Sequence, residues 1–171
     1  MQKGAWRYDV EMPGYKCNMT DIQASIGLVE LGRYDTETLP RRKAICELYN
    51  EHFSKYDWAI TPNFQKENTE SSYHLYQLRI KGLNEERRDR VIQEIAEKDI
   101  AVNVHFIPLP MLTAYKKLGY TMKNTPNAFS MYENEISLPL FFNLKDEEVL
   151  QVVDAVKEAV NSVMKNDEVR L

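Results

Sequence analysis

Apolar residues recur along this chain with two periods, and the switches between the periods divide it into elements. Thr20 stands before a run in which Ile22, Ile26 and Val29 share one helical stripe, and Gln23 is placed to complete a capping box with it. The stripe weakens at Gly32, and Pro40 suits the first turn of a second helix reaching Phe53, with Ile45, Leu48 and Tyr49 on one face. The same proline would kink any helix continuing from upstream. Ala59 and Ile60, just before Pro62, allow a short strand, and the polar stretch from Asn63 to Ser71 reads as a loop. The period then changes to two. Tyr73 to Ile80 alternates as a strand ended by a turn at Gly82, and Ile100 to Ile107 alternates as a return strand stopped by Pro108. Between them Asn84 can cap a helix to about Lys98, with Val91, Ile92 and Ile95 inward and the polar residues toward water. These two strands, each bearing a histidine, are expected to be neighbours in one sheet.

Beyond Pro108 a short helix and a turn at Gly119 are expected, then a helix over Asn127 to Asn134 and a brief strand over Ile136 to Leu140. The last helix starts near Lys145, where Leu144 and Val149 can form a hydrophobic staple. Val149, Val152, Val153, Val156, Val160 and Val163 give it an apolar stripe. The order of elements predicts an α+β fold in which helices pack on a small sheet. Its expected divisions are an N-terminal arm at 1–19, linking helices at 20–57, a small α/β domain at 58–165 and a tail at 166–171.

Composition narrows the function without naming it. With 171 residues, 43% of them hydrophobic, the chain can bury a core, which excludes global disorder. A net charge of −4, with basic residues scattered among acidic ones, gives no basis for nucleic-acid binding. Cys17 and Cys46 are too few for a disulfide scaffold and show no C-x-x-C spacing, so a reduced, cytoplasmic chain is expected. There is no apolar run of membrane-spanning length and no secretory signal region, so no membrane partner is expected.

Candidate chemistry lies in three places. Lys16 and Asn18 occupy a Gly-led loop directly before a helix whose free N–H groups attract anions, a combination shared by phosphate contacts and by ordinary capped turns. His105 ends a strand just before Pro108. Its imidazole could donate to a phosphate or carboxylate or steer a substrate, and it could equally be a histidine satisfied by its neighbours. His74 has the same two readings, and Tyr15, Tyr73 and Phe106 are candidates to face a planar ligand or to anchor the core. With His52 these are all the histidines, and no H-x-x-x-H or H-E-x-x-H spacing supports a metal. There is no nucleophile elbow, Walker sequence or dinucleotide fingerprint. A hydrolase built on His105 would need a serine, cysteine or metal partner, and none is in view.

Five segments in order, G-Y-K-C-N-M-T-D-I-Q-A-S-I-G-L at 14–28, S-S-Y-H-L-Y-Q-L-R-I at 71–80, I-A-V-N-V-H-F-I-P-L-P at 100–110, P-N-A at 126–128 and I-S-L-P-L-F-F-N-L-K-D-E-E-V at 136–149, span nearly the entire chain. Together they resemble the C-terminal portion of the pyridoxal-phosphate-dependent nucleotide-sugar aminotransferases of the DegT/DnrJ/EryC1/StrS family. The resemblance implies the small C-terminal domain of a fold type I aminotransferase, preceded by a linking helix and a loop that reaches the partner subunit's active site. It implies a dimer that transfers the amino group of glutamate or glutamine to a nucleotide-linked keto-sugar. It also implies that the Schiff-base lysine and the aspartate facing the pyridine nitrogen belong to a large N-terminal domain, so that this chain begins after both.

Residue by residue, the family loop G-Y-N-Y-R-M stands here as G-Y-K-C-N-M. Lys16 and Asn18 therefore take the asparagine and arginine positions and inherit the expectation of cofactor-phosphate contact. His105 matches the histidine of V-H-Y-I-P on the substrate side, while the family's following P-L-H histidine is replaced by Pro110. Tyr73 and His74 match a motif bordering the site, and no residue of this chain is assigned a catalytic role. The expected partners are the large N-terminal domain, a second copy in a homo-oligomer and, for the complete enzyme, a nucleotide-sugar. The isolated chain is expected to bind no pyridoxal phosphate and to be inactive. The other expectation is a free-standing binding or dimerisation module derived from such a domain.

Overall fold

The computed structural model describes residues 18–168, with side chains described to residue 165. The chain enters through helix α1 (Asp21–Arg33). Thr20 caps it as its sequence predicts: the Gln23 N–H donates to Thr20 Oγ1 at 3.3 Å, and the Thr20 N–H donates to Gln23 Oε1 at 3.0 Å. Helix α2 (Leu39–Phe53) follows without a break through a π-helical turn, Tyr34–Thr38. Pro40 explains that turn. A proline has no N–H for the carbonyl four residues back and its ring crowds that carbonyl, and a wider turn just upstream lets the helix pass it.

The first correction concerns the sheet. Strand β4 (Tyr76–Ile80) is central, pairing antiparallel with β1 (Ala59–Ile60) on one side and β5 (Glu135–Leu138) on the other. The two histidine-bearing segments are therefore not neighbours, because β5 lies between them. The predicted return strand over 100–107 reduces to one bridge, in which Asn103 and Ser137 exchange backbone hydrogen bonds of 3.1 and 2.7 Å. Side chains take the next backbone groups: Asn103 Oδ1 accepts from Val104 N–H and a Glu135 carboxylate oxygen accepts from His105 N–H. The second correction is at Tyr73, whose φ of 48° places it in the left-handed region, so the ladder starts only at Tyr76. The stretch expected as loop carries a small hairpin, β2 (Gln65–Lys66) with β3 (Thr69–Glu70), turned by Asn68 at φ 60°.

The core lies on the face of the sheet presented by Tyr76, Leu78, Ile80, Ile136 and Leu138, against α2, α3 (Glu85–Ala96) and α6 (Asp146–Glu168). Ile45, Tyr49 and Phe53 of α2 are fully buried, and the Tyr49 and Tyr76 rings lie 4.8 Å apart. The predicted valine stripe of α6 is buried throughout, and Leu144 and Val149 are buried at its start, where the Lys145 N–H donates to Glu148 at 2.7 Å. Each such side chain contributes about 1.5–3 kcal/mol on burial, so the α6 stripe is a large part of the core it shares with α2 and α3.

Helix α3 brings the third correction. Its polar residues do not all face water, because Arg88 is 1% exposed beneath the connection between α5 (Pro126–Tyr132) and β5. The short helix α4 (Thr113–Lys117) falls where it is expected, after Pro108. In contrast to the buried stripes, α1 has no buried residue: Ile22, Ile26 and Val29 are 74%, 61% and 67% exposed. Among the described residues no helix is long and apolar enough to cross a membrane.

Candidate functional site

Strand alternation builds the site. With Tyr76, Leu78 and Ile80 turned into the core, Gln77 and Arg79 project from the opposite face, where they stand across from Ser137 and Glu135 of β5. Helix α5 and the 105–108 segment close over this polar face and leave a cavity of about 420 Å³, whose lining includes Gln77, Arg79, His105, Phe106, Tyr132 and Glu135.

The polar side chains around His105 are held. Arg79 Nε donates to Asn134 Oδ1 and its NH2 group to the Ser130 carbonyl, both at 3.0 Å. Gln77 Nε2 donates to the His105 carbonyl at 2.7 Å. Glu135, 4% exposed, accepts from the His105 N–H at 3.0 Å and from Ser137 Oγ at 2.5 Å. Beneath it, Arg88 donates to the Tyr132 and Glu135 carbonyls at 3.0 and 3.1 Å and lies over the Tyr132 ring. Burial pushes the Glu135 carboxyl above its ordinary range, and the Ser137 hydroxyl, the His105 amide and the charges of His105 and Arg88 pull it partly back. Against this fixed frame, His105 Nδ1 is buried without a hydrogen-bond partner, and the Phe106 ring, 73% exposed, meets the imidazole edge-on at 4.6 Å.

The sequence-predicted residues are brought together only in part. His74 and His105 both line a second, shallower cleft of about 260 Å³. The His74 carbonyl is held by Arg42 of α2 at 3.1 Å. Tyr73 turns the other way, 5% exposed with its ring 5.0 Å from Phe64, so its side chain packs in the core. Asn18 is exposed ahead of α1, and Lys16 and Tyr15 lie outside the described residues. Gln77, Arg79, Arg88 and Glu135 were not singled out from the sequence. Their only signal is position: Gln77 and Arg79 are the polar half of the β4 alternation, and Glu135 precedes a short apolar strand.

Chemically, an imidazole, a buried carboxyl, an amide and an exposed aromatic ring form a set suited to recognising a polar organic molecule with a flat or apolar face. Ser137 is 4% exposed and donates to Glu135, which leaves it unsuited to attack a substrate. Among the described residues no group of three or more His, Cys, Asp or Glu side chains could hold a metal ion.

The fold is that of solved aminotransferases. The PMP form of the Streptococcus pneumoniae protein Spr1654, described as a sugar aminotransferase, superposes with a TM-score of 0.87 and 46% identity over 98% of this chain and 42% of that one. The chain belongs to the DegT/DnrJ/EryC1/StrS aminotransferase family, whose sequence model matches residues 1–157. Among curated relatives, the spore coat polysaccharide biosynthesis protein SpsC of Bacillus subtilis is 37% identical over 92% of this chain. A UDP-4-amino-4,6-dideoxy-N-acetyl-beta-L-altrosamine transaminase of Campylobacter jejuni is 28% identical over 85% of it. The chain spans 41% and 39% of the lengths of these two relatives.

Proposed function

We propose that this chain is the C-terminal, small-domain portion of a pyridoxal-phosphate-dependent aminotransferase that moves the amino group of glutamate or glutamine onto a nucleotide-linked keto-sugar. The observation that carries this is one of proportion: 46% identity to a sugar aminotransferase runs through 98% of this chain yet through only 42% of that protein. The transaminase activity on a UDP-linked amino sugar belongs to the Campylobacter jejuni relative by name, and it supplies the substrate class proposed here.

Pyridoxal phosphate stabilises negative charge at the carbon that exchanges its proton, and it is held by a lysine amine and a partner for the ring nitrogen. The described residues do not by themselves fit that group. Every described lysine is exposed except Lys157, which is half-buried and 3.5 Å from Asp154, and none lines the His105 cavity. The cofactor's lysine is therefore assigned to the preceding domain, and 1–19, 20–57 and 58–165 keep the roles of arm, linking helices and small domain. Lys16 and Asn18 are assigned to the cofactor phosphate, and His105, with His74 and Tyr73 bordering, to the substrate side. The bare face of α1 supports a covering partner. Ile22, Ile26 and Val29 on one side of the helix and Leu28 and Leu31 on the other are all more than 60% exposed, apolar area that a stable protein normally covers.

The test is a pyridoxal phosphate titration followed by visible absorption and dialysis, with and without a separately produced large domain. Retained cofactor and amino transfer only in the mixture is the expected result. Tight stoichiometric binding by this chain alone would overturn the assignment. The same α1 face favours one other reading, a free-standing dimerisation module. That reading requires a stable dimer of this chain that added large domain does not dissociate, as measured by sedimentation.

A further inference from the structure

The backbone of His105 is held in a way no strand would hold it. After the Asn103–Ser137 bridge the main chain leaves the sheet, and both polar backbone groups of the next site residue are taken by side chains. The His105 N–H goes to Glu135 at 3.0 Å and its carbonyl receives Gln77 Nε2 at 2.7 Å. The two clamping residues come from adjacent strands that are locked in register, with Gln77 opposite Ser137 and Arg79 opposite Glu135. Glu135 is itself fixed twice, by the Ser137 hydroxyl at its other oxygen and by Arg88 at its backbone carbonyl. A buried carboxyl is costly unless its acceptors are hydrogen-bonded, and a satisfied network of this kind rigidifies the groups it joins. Here one of the two Glu135 oxygens holds the backbone of His105, whose ring lines the cavity.

We propose that Glu135 and Gln77 are positioning residues for His105: gripping its N–H and C=O from two strands, they fix its imidazole in the cavity wall, where the ring can meet substrate. The inference rests on the reading of that cavity as the substrate side. It gives a division of labour in which His105 touches substrate and the two clamps act only through it.

The test uses the 171-residue chain, whose three histidines, His52, His74 and His105, make an imidazole spectrum easy to assign. Variants E135A, E135Q and Q77A are compared by histidine ring NMR and by amide hydrogen exchange, with Leu78 and Ile136, paired across β4 and β5, as internal controls. A charge-assisted hydrogen bond shifts local opening by roughly ten- to a hundredfold. The expected result is that E135A speeds exchange at the His105 amide by at least that lower factor and moves the His105 ring signals. The signals of His52 and His74 and the exchange of Leu78 and Ile136 should stay put. E135Q, which keeps an acceptor oxygen, should restore most of the protection, and Q77A should move the His105 ring while sparing the controls. If E135A does not fold, E135Q and Q77A carry the comparison.

Unchanged His105 signals in E135A and Q77A would overturn the clamp, and so would equal acceleration at Leu78 and Ile136, which would make the residues merely structural. Failure of the functional reading shows elsewhere. A clamp that holds in the chain, beside an H105N substitution that leaves amino transfer unaltered after mixing with the large domain, removes the substrate role from His105 and with it the purpose proposed for the clamp.

Discussion

Arg88→Met is the most informative single change, because it removes a buried cation and leaves its acceptors in place. Arg88 is 1% exposed and donates to two carbonyls, Tyr132 and Glu135, at 3.0 and 3.1 Å. Its ion pair with Asp89 reaches a carboxylate whose side chain is 61% exposed, so solvent screens that contact and it adds little. The loss is therefore set by the carbonyls: each buried acceptor left without a donor costs about 1–3 kcal/mol, and two cost roughly 2–6. Relief from burying a guanidinium offsets part of this, and the net destabilisation is about 3–4 kcal/mol. Against the 5–15 kcal/mol typical of folded domains, that is a large fraction. With a urea slope near 2 kcal/mol/M, the midpoint should fall by roughly 1.5–2 M in unfolding followed by circular dichroism. Arg88→Lys, which keeps the charge but is shorter and loses the planar guanidinium over the Tyr132 ring and the Nε bond to Asp89, should fall between. A shift below roughly 1 kcal/mol for the methionine variant would refute the reasoning, since it would mean that burial of the cation cancels its bonds.

Cys46 is buried among α2 core residues, and burial pushes its thiol up to about 12, the Arg42 charge opposing only in part. A thiol-specific reagent at neutral pH should label it only as the core opens, so labelling that matches a free thiol in the native protein would contradict the packing. Thr20→Ala should cost α1 about 1 kcal/mol by removing its capping box. Because α1 buries nothing in this chain, the loss should appear as faster amide exchange in α1 alone, and a lowered global melting temperature would show that α1 is coupled to the core. For Glu135 the sign runs through its raised folded value. The native state holds that proton more tightly than the unfolded chain, so its contribution is full below the unfolded carboxyl value and is lost as pH rises through the raised one. Glu135→Gln should remove that segment of the pH dependence in denaturation curves taken on either side of the window, and an identical pH slope in both proteins would refute the shift.

What could be read from the chain and what could not divides by the range of the deciding interaction. The capping box at Thr20 and Gln23, the α3 cap at Asn84 and the α6 stripe are settled within a few residues, and all three stand as their spacing predicts. Tyr73 and the 100–107 segment have equally good local patterns, yet distant residues decide them. Beside the Ser71 hydroxyl that accepts its N–H, the Phe64 ring packs on the Tyr73 side chain and Arg42 donates to its carbonyl, and Glu135 and Gln77 take the backbone groups of His105 that a strand would have shared. The same rule governs the site. His105 is legible because an imidazole before a proline is conspicuous, whereas Glu135 looks like an ordinary surface acid until Arg88, 47 positions earlier, is seen to seat its backbone. Arg88 in turn looks like part of the wet face of an amphipathic helix, and only the turn from α5 to β5 lying over it makes it internal. Side chains that look superficial in sequence therefore form the support of the cavity. Substitutions at Gln77 and Glu135 consequently test how His105 is placed, and substitution of His105 itself tests the chemistry proposed for it.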